Sequence, residues 1–316
     1  MEEKKEHLFE IRNYLTCLKE GIKLPTQNFI PLFKFLYPSL IFIAVVAMLG
    51  GLFYEQFSMV MARLYTSSVP YTLNVSVVAV GGLVLLSFLA ICFYCSQLML
   101  VVRRYNETGQ CLTLSFKKEF KEILQVCRRT ITVVGLAVVV LALAVWGLSF
   151  FVGLTNIWSW VILSVFVLVV FIPYTMVCWE YMYRHEVRFA DSLKQIKTGF
   201  QYWVAFFIVA LCGGLLAGLL SVIAWLPSAV LAYAGHLSAL TVCNGDETDL
   251  PGAVFILTII FYVISSLLTY IFAWLKFFPL SFLYGSVVAR EKEKAQYKAE
   301  QNEEDRLALE NKSRLK

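Results

Sequence analysis

Six apolar stretches, each long enough to cross a lipid bilayer, constrain the fold of this chain more than any other feature. A membrane-spanning helix needs roughly 20 consecutive apolar residues. The stretches that meet this requirement are 32–54, 74–102, 130–153, 157–183, 203–226 and 253–289. Only 16% of the residues are charged, whereas a soluble globular protein is about 25% charged. A soluble fold of this size could not cover so much apolar surface, so the bilayer is the expected solvent.

The basic residues fall on one side of the predicted membrane. With six spans, both termini and the second and fourth connections share a side, and these segments hold 25 of the 27 lysines and arginines. Arg63 lies in a connection on the other side, and Lys276 lies inside the last apolar stretch. The last connection on that other side is acidic, with Asp246, Glu247 and Asp249. Because cytoplasmic loops are enriched in Lys and Arg, both termini are predicted to be cytoplasmic.

The spans form three pairs that repeat one pattern. In the three return spans, the residue eleven positions before the terminal arginine is Cys92, Pro173 and Pro279, respectively. A Pro in a spanning helix frees a carbonyl group and bends the helix, so kinks are predicted in the fourth and sixth spans. Since Pro is common in spanning helices, coincidence is the alternative explanation for the shared spacing.

An amphipathic segment precedes each pair. Apolar residues recur at spacings of three and four in each segment: Leu8, Ile11, Leu15, Leu18 and Ile22; Phe116, Phe120, Ile123 and Leu124; Phe189, Leu193, Ile196 and Phe200. This spacing predicts helices with one apolar face. Such helices either lie in the headgroup layer or pack together as a cytoplasmic cap, and packing is favoured for 8–22, where glutamates interleave.

The predicted fold is therefore all-α, with six transmembrane helices arranged as three repeated helical hairpins, each preceded by a cytoplasmic amphipathic helix. Three parts follow from the sequence: a cytoplasmic amphipathic helix in 1–29, a six-helix membrane domain in 30–290, and a charged cytoplasmic tail in 291–316. Leucines in the tail are too sparse to form a core, so the last helix is predicted to extend for a few turns and then fray.

Residues 191–194 (DSLK), followed by 199–203 (GFQYW) at the start of an apolar helix, carry a resemblance to a known family. The pattern resembles bacterial six-helix membrane proteins related to the membrane domain of glycerophosphodiester phosphodiesterases. The resemblance covers the hairpin architecture and this one stretch. The catalytic barrel that some relatives carry has no counterpart in this sequence, so the resemblance implies a fold in the bacterial inner membrane and no activity.

Motifs for catalysis are missing. The three histidines, His7, His185 and His236, have no histidine or carboxylate partner at i+4. Cys92 and Cys95 form a C-x-x-C inside an apolar stretch, where thiols behave as small hydrophobic groups. No G-x-S-x-G, phosphate-binding loop or pair of intramembrane carboxylates occurs. The sequence predicts no catalytic residue, cofactor, metal or nucleic-acid partner, and it favours a protein that is not an enzyme without deciding the question.

The position of Lys276 depends on how the last stretch crosses the membrane. Counted back from Arg290, Lys276 lies about 21 Å along a helix, which is deep in the bilayer. Counted from Pro251, it lies roughly 37 Å along, near the inner interface. The 253–289 stretch is too long for one perpendicular span, so part of it must tilt, protrude or break at Pro279.

Five residues are the candidates for a functional cavity that opens to the cytoplasm: Lys276, Pro279, Pro173, Glu180 and Arg184. An ionisable residue inside a span marks a functional site by default, and snorkelling to the interface is the alternative for Lys276. For Glu180 and Arg184, an i,i+4 ion pair is the ordinary interpretation.

Glycines in the fifth span predict a close helix contact. Gly214 and Gly218 form a G-x-x-x-G next to Gly213, and small residues at this spacing let two backbones approach. Contact within the bundle is favoured over a dimer face.

These features predict a membrane protein that handles a lipid or small anionic solute at the cytoplasmic side, with anionic membrane lipids as partners. A scaffold or accessory subunit, docking a protein through the amphipathic helices or the tail, is the alternative. A membrane-embedded lipid enzyme has the least support, because no nucleophile or metal site can be located.

Overall fold

The structure is a computed structural model that describes residues 7–66, 74–109, 115–151, 156–243 and 252–314. These ranges are almost entirely α-helical and contain no strand. Six of the described helices are long and apolar enough to cross a membrane. The prediction of an all-α chain with six candidate spans is therefore confirmed, and a multi-pass membrane protein is the class that fits it.

In chain order the helices are α1 (Tyr14–Gln27), α2 (Phe29–Thr66), α3 (Asn74–Thr108), α4 (Phe116–Phe151), α5 (Ile157–Tyr183), α6 (Phe189–Ser192), α7 (Ile196–Gln201), α8 (Trp203–Cys243), α9 (Gly252–Phe272) and α10 (Trp274–Arg314). A 3-10 turn, Leu193–Gln195, joins α6 to α7. The predicted acidic connection with Asp246, Glu247 and Asp249, and the first six residues of the predicted segment 1–29, lie outside the described residues.

The fourth predicted span, 157–183, coincides with α5. In α4, by contrast, the predicted amphipathic segment and the third span form one continuous helix from Phe116. The reason lies in the sequence between them, because residues 116–134 contain neither glycine nor proline to interrupt the helix.

The fifth span continues well beyond its predicted end at residue 226. Helix α8 passes through Pro227 and ends at Cys243. The residues after Pro227 are uncharged apart from His236, so nothing in them ends an apolar helix. Beside the proline, the Ser265 hydroxyl donates to the carbonyl of Ala224 at 2.7 Å and lies 2.7 Å from the Ser228 hydroxyl. Side-chain hydroxyls of this kind satisfy polar groups that a proline disturbs within a spanning helix.

The last apolar stretch breaks at Ala273, not at Pro279. Helix α9 ends at Phe272, and α10 begins at Trp274 with Pro279 inside it. Of the three alternatives that the sequence allows, namely tilt, protrusion or a break at Pro279, the last is not observed. The tertiary contacts of Tyr94, described below, account for the break at Ala273.

The first amphipathic segment is also shifted. Helix α1 begins at Tyr14, and its buried face is made by Cys17, Gly21, Leu24 and Pro25 rather than by the predicted leucines and isoleucines. Of the predicted face, Leu8 is fully buried in a non-helical segment, whereas Leu15 is 79% exposed. The backbone N–H of Leu8 donates to Asn106, which holds this segment against the bundle and outside a helix.

The basic end of the bundle is defined here as the end that holds Arg12, Arg103, Arg129, Arg184 and Arg290. Most of the large buried side chains lie in the helices that meet there, among them Phe35, Phe206, Phe278 and Tyr284. Away from this end, α2, α3, α8 and α9 pack as one group, whereas α4 contacts only α3 and α5 extensively. The α4–α5 hairpin therefore leaves most of its surface exposed to the surroundings of the bundle.

Two contacts between helices place a glycine directly against a proline. A Cβ atom added to Gly21 of α1 would lie 2.5 Å from Cα of Pro279 in α10. A Cβ added to Gly199 of α7 would lie 2.9 Å from the carbonyl carbon of Pro173 in α5. Such distances are shorter than any side chain tolerates, so the close approach of these helices requires glycine at both positions.

Candidate functional site

The junction between α9 and α10 is an irregular point within the last candidate span. The helical ladder runs as far as the bond from the Ala273 N–H to Thr269. No described hydrogen bond joins the Trp274 N–H to the Tyr270 carbonyl, which would be the next step. That carbonyl instead accepts a hydrogen bond from the Tyr94 hydroxyl of α3 at 2.5 Å. The break is therefore stabilised by a side chain from another helix.

Trp274 completes this arrangement, because its indole N–H donates to the Tyr94 hydroxyl. Both Tyr94 and Trp274 are almost fully buried, at 2% exposure each. The Tyr94 hydroxyl thus donates to one partner and accepts from another, which uses its hydrogen-bonding capacity without water. Irregular backbone at membrane depth is tolerated only where protein or a polar cavity satisfies it, and Tyr94 supplies that condition here.

Lys276 lies in the first turn of α10, immediately after this break. Its side chain is exposed, and its backbone packs against Gly213 of α8, where an added Cβ would meet Cα of Lys276 at 3.1 Å. None of the hydrogen bonds or ion pairs among the described residues involves its amino group. Lys276 therefore presents an amino group without a described partner on the surface of α10.

The depth of Lys276 can be measured along two helices. It lies fourteen residues before Arg290 at the basic end, or about 21 Å at 1.5 Å per residue. Gly213, against which it packs, lies ten residues after Trp203 at the start of α8, or about 15 Å. Measured from the other end, Lys276 lies 24 residues after Gly252 at the start of α9, or about 36 Å. The ring of Phe29, at the start of the first candidate span, lies 5.6 Å from that of Trp274, two residues before Lys276. Both of the positions that the sequence left open for Lys276 therefore stay open.

The prolines predicted to line a cavity are instead part of the packed interior. Pro173 and Pro279 are buried, each beneath a glycine of a neighbouring helix. Pro279 also leaves the carbonyl of Leu275 without its helical N–H donor, and Gly213 approaches that carbonyl. The prolines thus allow the close packing of α10 and α5 with other helices.

Glu180 and Arg184 form the ion pair that their spacing predicts, with 3.1 Å between Oε1 and Nη1. Glu180 is only 3% exposed, and its other oxygen accepts a hydrogen bond from the Tyr284 hydroxyl of α10 at 2.7 Å. The carboxylate is thus satisfied on both oxygens and joins α5 to α10. Since Glu180 is buried and fully paired, Lys276 is the one of the five candidates that keeps a functional group without a described partner within a candidate span.

A polar network at the basic end was missed by the sequence reasoning. Arg103 of α3 lies 3.2 Å from Glu122 of α4 and donates to the carbonyl of Met182 at the end of α5. Arg129 donates to the carbonyls of Tyr181, at 2.8 Å, and of Arg184, at 2.5 Å. The arginines therefore cap the C-terminus of α5, whose last carbonyls have no helical donors. Basic residues counted only for topology here have a structural role as well.

His185 belongs to the same network. Its Nε2 atom lies 3.3 Å from Glu122 and in direct contact with Arg103, while its Nδ1 atom is buried without a hydrogen-bond partner. Burial first, and then the positive charge of Arg103, hold the pKa of His185 below its ordinary value. The ring is therefore neutral under ordinary conditions, and the site stabilises the fold.

No group of three or more His, Cys, Asp or Glu side chains that could hold a metal ion occurs in the part of the chain that the structure describes. Of the glycines in the fifth span, only Gly213 makes a close contact, since Cβ atoms added to Gly214 or Gly218 meet nothing within 4 Å. The G-x-x-x-G pair itself therefore faces away from the described helices.

Comparisons with protein-family models, with curated proteins and with solved structures find no match to this chain. The resemblance to the membrane domain of glycerophosphodiester phosphodiesterases accordingly stays a prediction.

Proposed function

We propose that this chain is a non-enzymatic integral protein of the bacterial inner membrane that binds a negatively charged lipid or small solute. The observation that carries the proposal is the exposed side chain of Lys276, which lies within the last candidate span and has no ion-pair partner among the described residues. A cation in hydrocarbon is costly, so intramembrane lysines are rare and mark binding sites or ion pathways.

The break in the last span supports the same function. Helix α10 starts two residues before Lys276, so the positive end of its dipole and the ammonium group lie together. In membrane transporters, the N-termini of broken helices commonly face the anionic group of the substrate. A carboxylate or phosphate at this point would neutralise both charges at once.

The orientation that we propose puts the basic end, and with it both termini, in the cytoplasm. It rests on the asymmetry of lysine and arginine along the sequence. A fluorescent protein that folds only in the cytoplasm, fused after residue 316, should fluoresce, whereas a fusion between α8 and α9 should be dark. The reverse pattern would invert the topology.

Membrane lipids are the partners that we propose for the amphipathic segments. Several residues of their predicted apolar faces point away from the protein: Leu15, Phe120, Leu124 and Phe200 are each more than 40% exposed. Apolar side chains exposed beside lysines suit a helix that rests in the headgroup layer. Helix α1 also packs on α10 through Gly21, so lipid contact and packing are compatible there.

We also propose that the three hairpins are structural repeats. In each case the segment before one hairpin packs on the return helix of another: α1 on α10, α7 on α5, and the start of α4 on α3. In the first two pairs the contact is a glycine over the proline of the return helix, and in the third it includes the ion pair between Arg104 and Glu119 at 2.7 Å. These contacts support a pseudo-threefold arrangement closed at the cytoplasmic side.

Binding of an anionic amphiphile tests the function. The purified protein in neutral detergent would be titrated with a fluorescent fatty acid and with the corresponding fatty alcohol. We expect Lys276→Met to remove about a tenfold preference for the acid, because a hydrogen bond to a charged group contributes about 1.5–3 kcal/mol, and Lys276→Arg to retain the preference. Lys194→Met is the matched control, since Lys194 is exposed and pairs with Asp191 at 2.8 Å outside the spans. An unchanged preference in Lys276→Met would refute the proposal.

A scaffold or accessory subunit is the second candidate. Its support is the end of α10, where residues 292–306 are exposed along a highly charged helix. Crosslinking in intact membranes distinguishes the two: a stoichiometric protein partner that is lost when residues 292–316 are removed would favour the scaffold.

A further inference from the structure

A groove of about 570 Å³ runs along the outer face of α4 near the basic end. The described residues that line it all belong to this helix: Lys121, Leu124, Gln125, Cys127, Arg128 and Ile131. Apart from Cys127, each lies three or four residues from another, so together they form one stripe along the helix. Lys121, Leu124, Gln125 and Arg128 are exposed, and the groove therefore opens to the surroundings of the bundle.

The acidic residues of this part of α4 face the other way. The segment 116–129 contains two carboxylates. Glu119 pairs with Arg104 of α3 at 2.7 Å, and Glu122 lies 3.2 Å from Arg103 of the same helix. Both carboxylates are thus used in contacts with α3, and the positive charge on the outer face of α4 has no acidic residue of its own helix to neutralise it.

The polar side chains in the groove have no such partners. No hydrogen bond or ion pair joins the side chains of Lys121, Gln125 or Arg128 to any residue that the structure describes. Arg129, the next residue, differs, because it donates to the carbonyl of Tyr181 and its guanidinium lies 4.7 Å from the centre of that ring. Of two adjacent arginines, one therefore holds the end of α5 and the other is available to a ligand in the groove.

The groove lies where α4 passes from its charged part to its apolar part. Arg129 is the last charged residue of the helix, and residues 130–151 carry no charge. This uncharged part is 22 residues long, or about 33 Å at 1.5 Å per residue, which matches a hydrocarbon core of about 30 Å. Both ends of it belong to one helix, so the depth is measured along a single element. Lys121 and Gln125 then lie at the level of the headgroups, and Ile131 lies beside the start of the acyl chains.

The spacing of the two cations suits a phosphate group. Lys121 and Arg128 are seven residues apart, which is two turns, or about 10.5 Å, along one face of the helix. Gln125 lies between them, and its amide group can donate to the same anion. Arginine binds phosphate oxygens with two parallel hydrogen bonds, and lysine adds a point charge. Leu124 and Ile131 flank these groups with apolar surface, so the groove combines an anion site with a contact for hydrocarbon.

We infer that this groove binds the phosphate of an anionic glycerophospholipid from the leaflet at the basic end, with Lys121 and Arg128 as the counter-charges. Leu124 and Ile131 contact the first part of one acyl chain. Basic pockets at this level of a membrane protein suit anionic headgroups. The site is separate from Lys276 and goes beyond the proposed function, on which it rests only in that both place the protein in a membrane.

Photocrosslinking locates the bound lipid on the chain. The probe is phosphatidylglycerol with a diazirine in its acyl chain close to the ester group. The comparison probe is phosphatidylcholine with the same acyl chain, whose headgroup has no net charge. The purified protein in neutral detergent would be illuminated with each probe, and the crosslinked residues would be identified by peptide mass spectrometry. Crosslinks within residues 121–132 report this groove, whereas crosslinks within residues 274–290 report lipid near Lys276.

Two double variants change the same charges at different places. The test variant is Lys121→Gln with Arg128→Gln, and the matched control is Lys298→Gln with Arg306→Gln, at exposed positions of α10 eight and sixteen residues after Arg290. A basic residue near an anionic surface contributes a factor of about five to binding. The test variant should therefore need about 25 times as much phosphatidylglycerol for half-maximal crosslinking in the groove. The control variant should match the wild type.

The remaining measurements separate loss of the site from other effects. Both double variants should unfold at the same midpoint as the wild type, because the altered side chains are exposed and have no described partners. Lys276→Met should keep the crosslinks in the groove, so a failure of the proposed anion site at Lys276 leaves this one standing. Equal crosslinking of the groove in the wild type and the test variant, or by phosphatidylglycerol and phosphatidylcholine in the wild type, would overturn the site. Crosslinks that a large excess of inorganic phosphate removes would overturn the lipid as the occupant in favour of a free anion.

Discussion

Replacing Gly21 by alanine tests whether the basic end depends on the contact between α1 and α10. An alanine Cβ at this position would lie 2.5 Å from Cα and 2.6 Å from Cγ of Pro279. Both neighbours belong to a rigid proline within a buried helix, so neither can rotate away. To restore an ordinary distance of about 3.4 Å or more, the two helices must separate by nearly 1 Å, and a gap of that size forfeits a quarter to a half of the dispersion energy across it.

The expected cost follows from two opposing effects. Overpacking of a well-packed interior costs about 1–3 kcal/mol, and alanine recovers up to about 1 kcal/mol because it favours the helix over glycine. The net destabilisation is then about 1–2 kcal/mol. At about 2–4 °C per kcal/mol for a chain of this size class, the unfolding midpoint should fall by roughly 2–8 °C. Gly214→Ala is the matched control, since its Cβ meets nothing within 4 Å, and it should be neutral or slightly stabilising.

Cys17 provides a local measurement of the same contact. It lies one turn before Gly21 on the buried face of α1, and burial raises the pKa of its thiol to about 11. A maleimide should therefore label Cys17 slowly in the wild type and faster in Gly21→Ala, as read by peptide mass spectrometry. If Gly21→Ala and Gly214→Ala show the same midpoint and the same labelling rate, the proposed role of glycine in this contact is incorrect.

Two further predictions concern the helix break and the basic end. Tyr94→Phe removes the hydrogen-bond donor to the Tyr270 carbonyl and the acceptor for the Trp274 indole. Since each buried polar group left unsatisfied costs about 1–3 kcal/mol, we expect a lower unfolding midpoint for Tyr94→Phe than for the exposed control Tyr297→Phe. Equal midpoints for the two variants would contradict this. His185 should make stability depend on pH. Its pKa is lowered in the folded state, so below about pH 6.5, the ordinary value, the unfolded chain takes up a proton that the folded chain does not, and the folded state loses stability. Acidification from pH 7.5 to 5.5 should therefore lower the midpoint, and His185→Gln should reduce that loss; an identical pH dependence in the variant would refute the assignment.

The agreement between sequence and structure differs among the helices for physical reasons. Helix α5 was predicted to the residue, because charged or polar connections flank a single apolar run on both sides. In α8 and the α9–α10 pair the apolar run exceeds one span, and the composition then carries no information about where it ends. The prolines did not mark the helix break, because Pro227 and Pro279 lie inside continuous helices. The break occurs at Ala273, where the Tyr94 hydroxyl of another helix accepts a hydrogen bond from the Trp274 indole and donates one to the freed Tyr270 carbonyl.

Among the residues of the candidate site, some can be recognised from the sequence alone and others only from the contacts in the structure. Hydropathy alone identified Lys276, because a charged residue within an apolar run is visible in any single sequence. The arginine caps on α5 were missed, because Arg103 and Arg129 were counted by charge and not by contact, and their partners lie on another helix.

What the sequence determined by itself was the class of protein, the number of spans and the asymmetry of charge, because these depend on the transfer of each segment between water and hydrocarbon and need no knowledge of neighbours. What only the tertiary structure decided was the place of the break, the burial of Glu180 beside Tyr284 and the glycine–proline contacts. Those depend on which side chains from distant parts of the chain meet, and a hydrogen bond or close contact between helices leaves no periodic trace along either one.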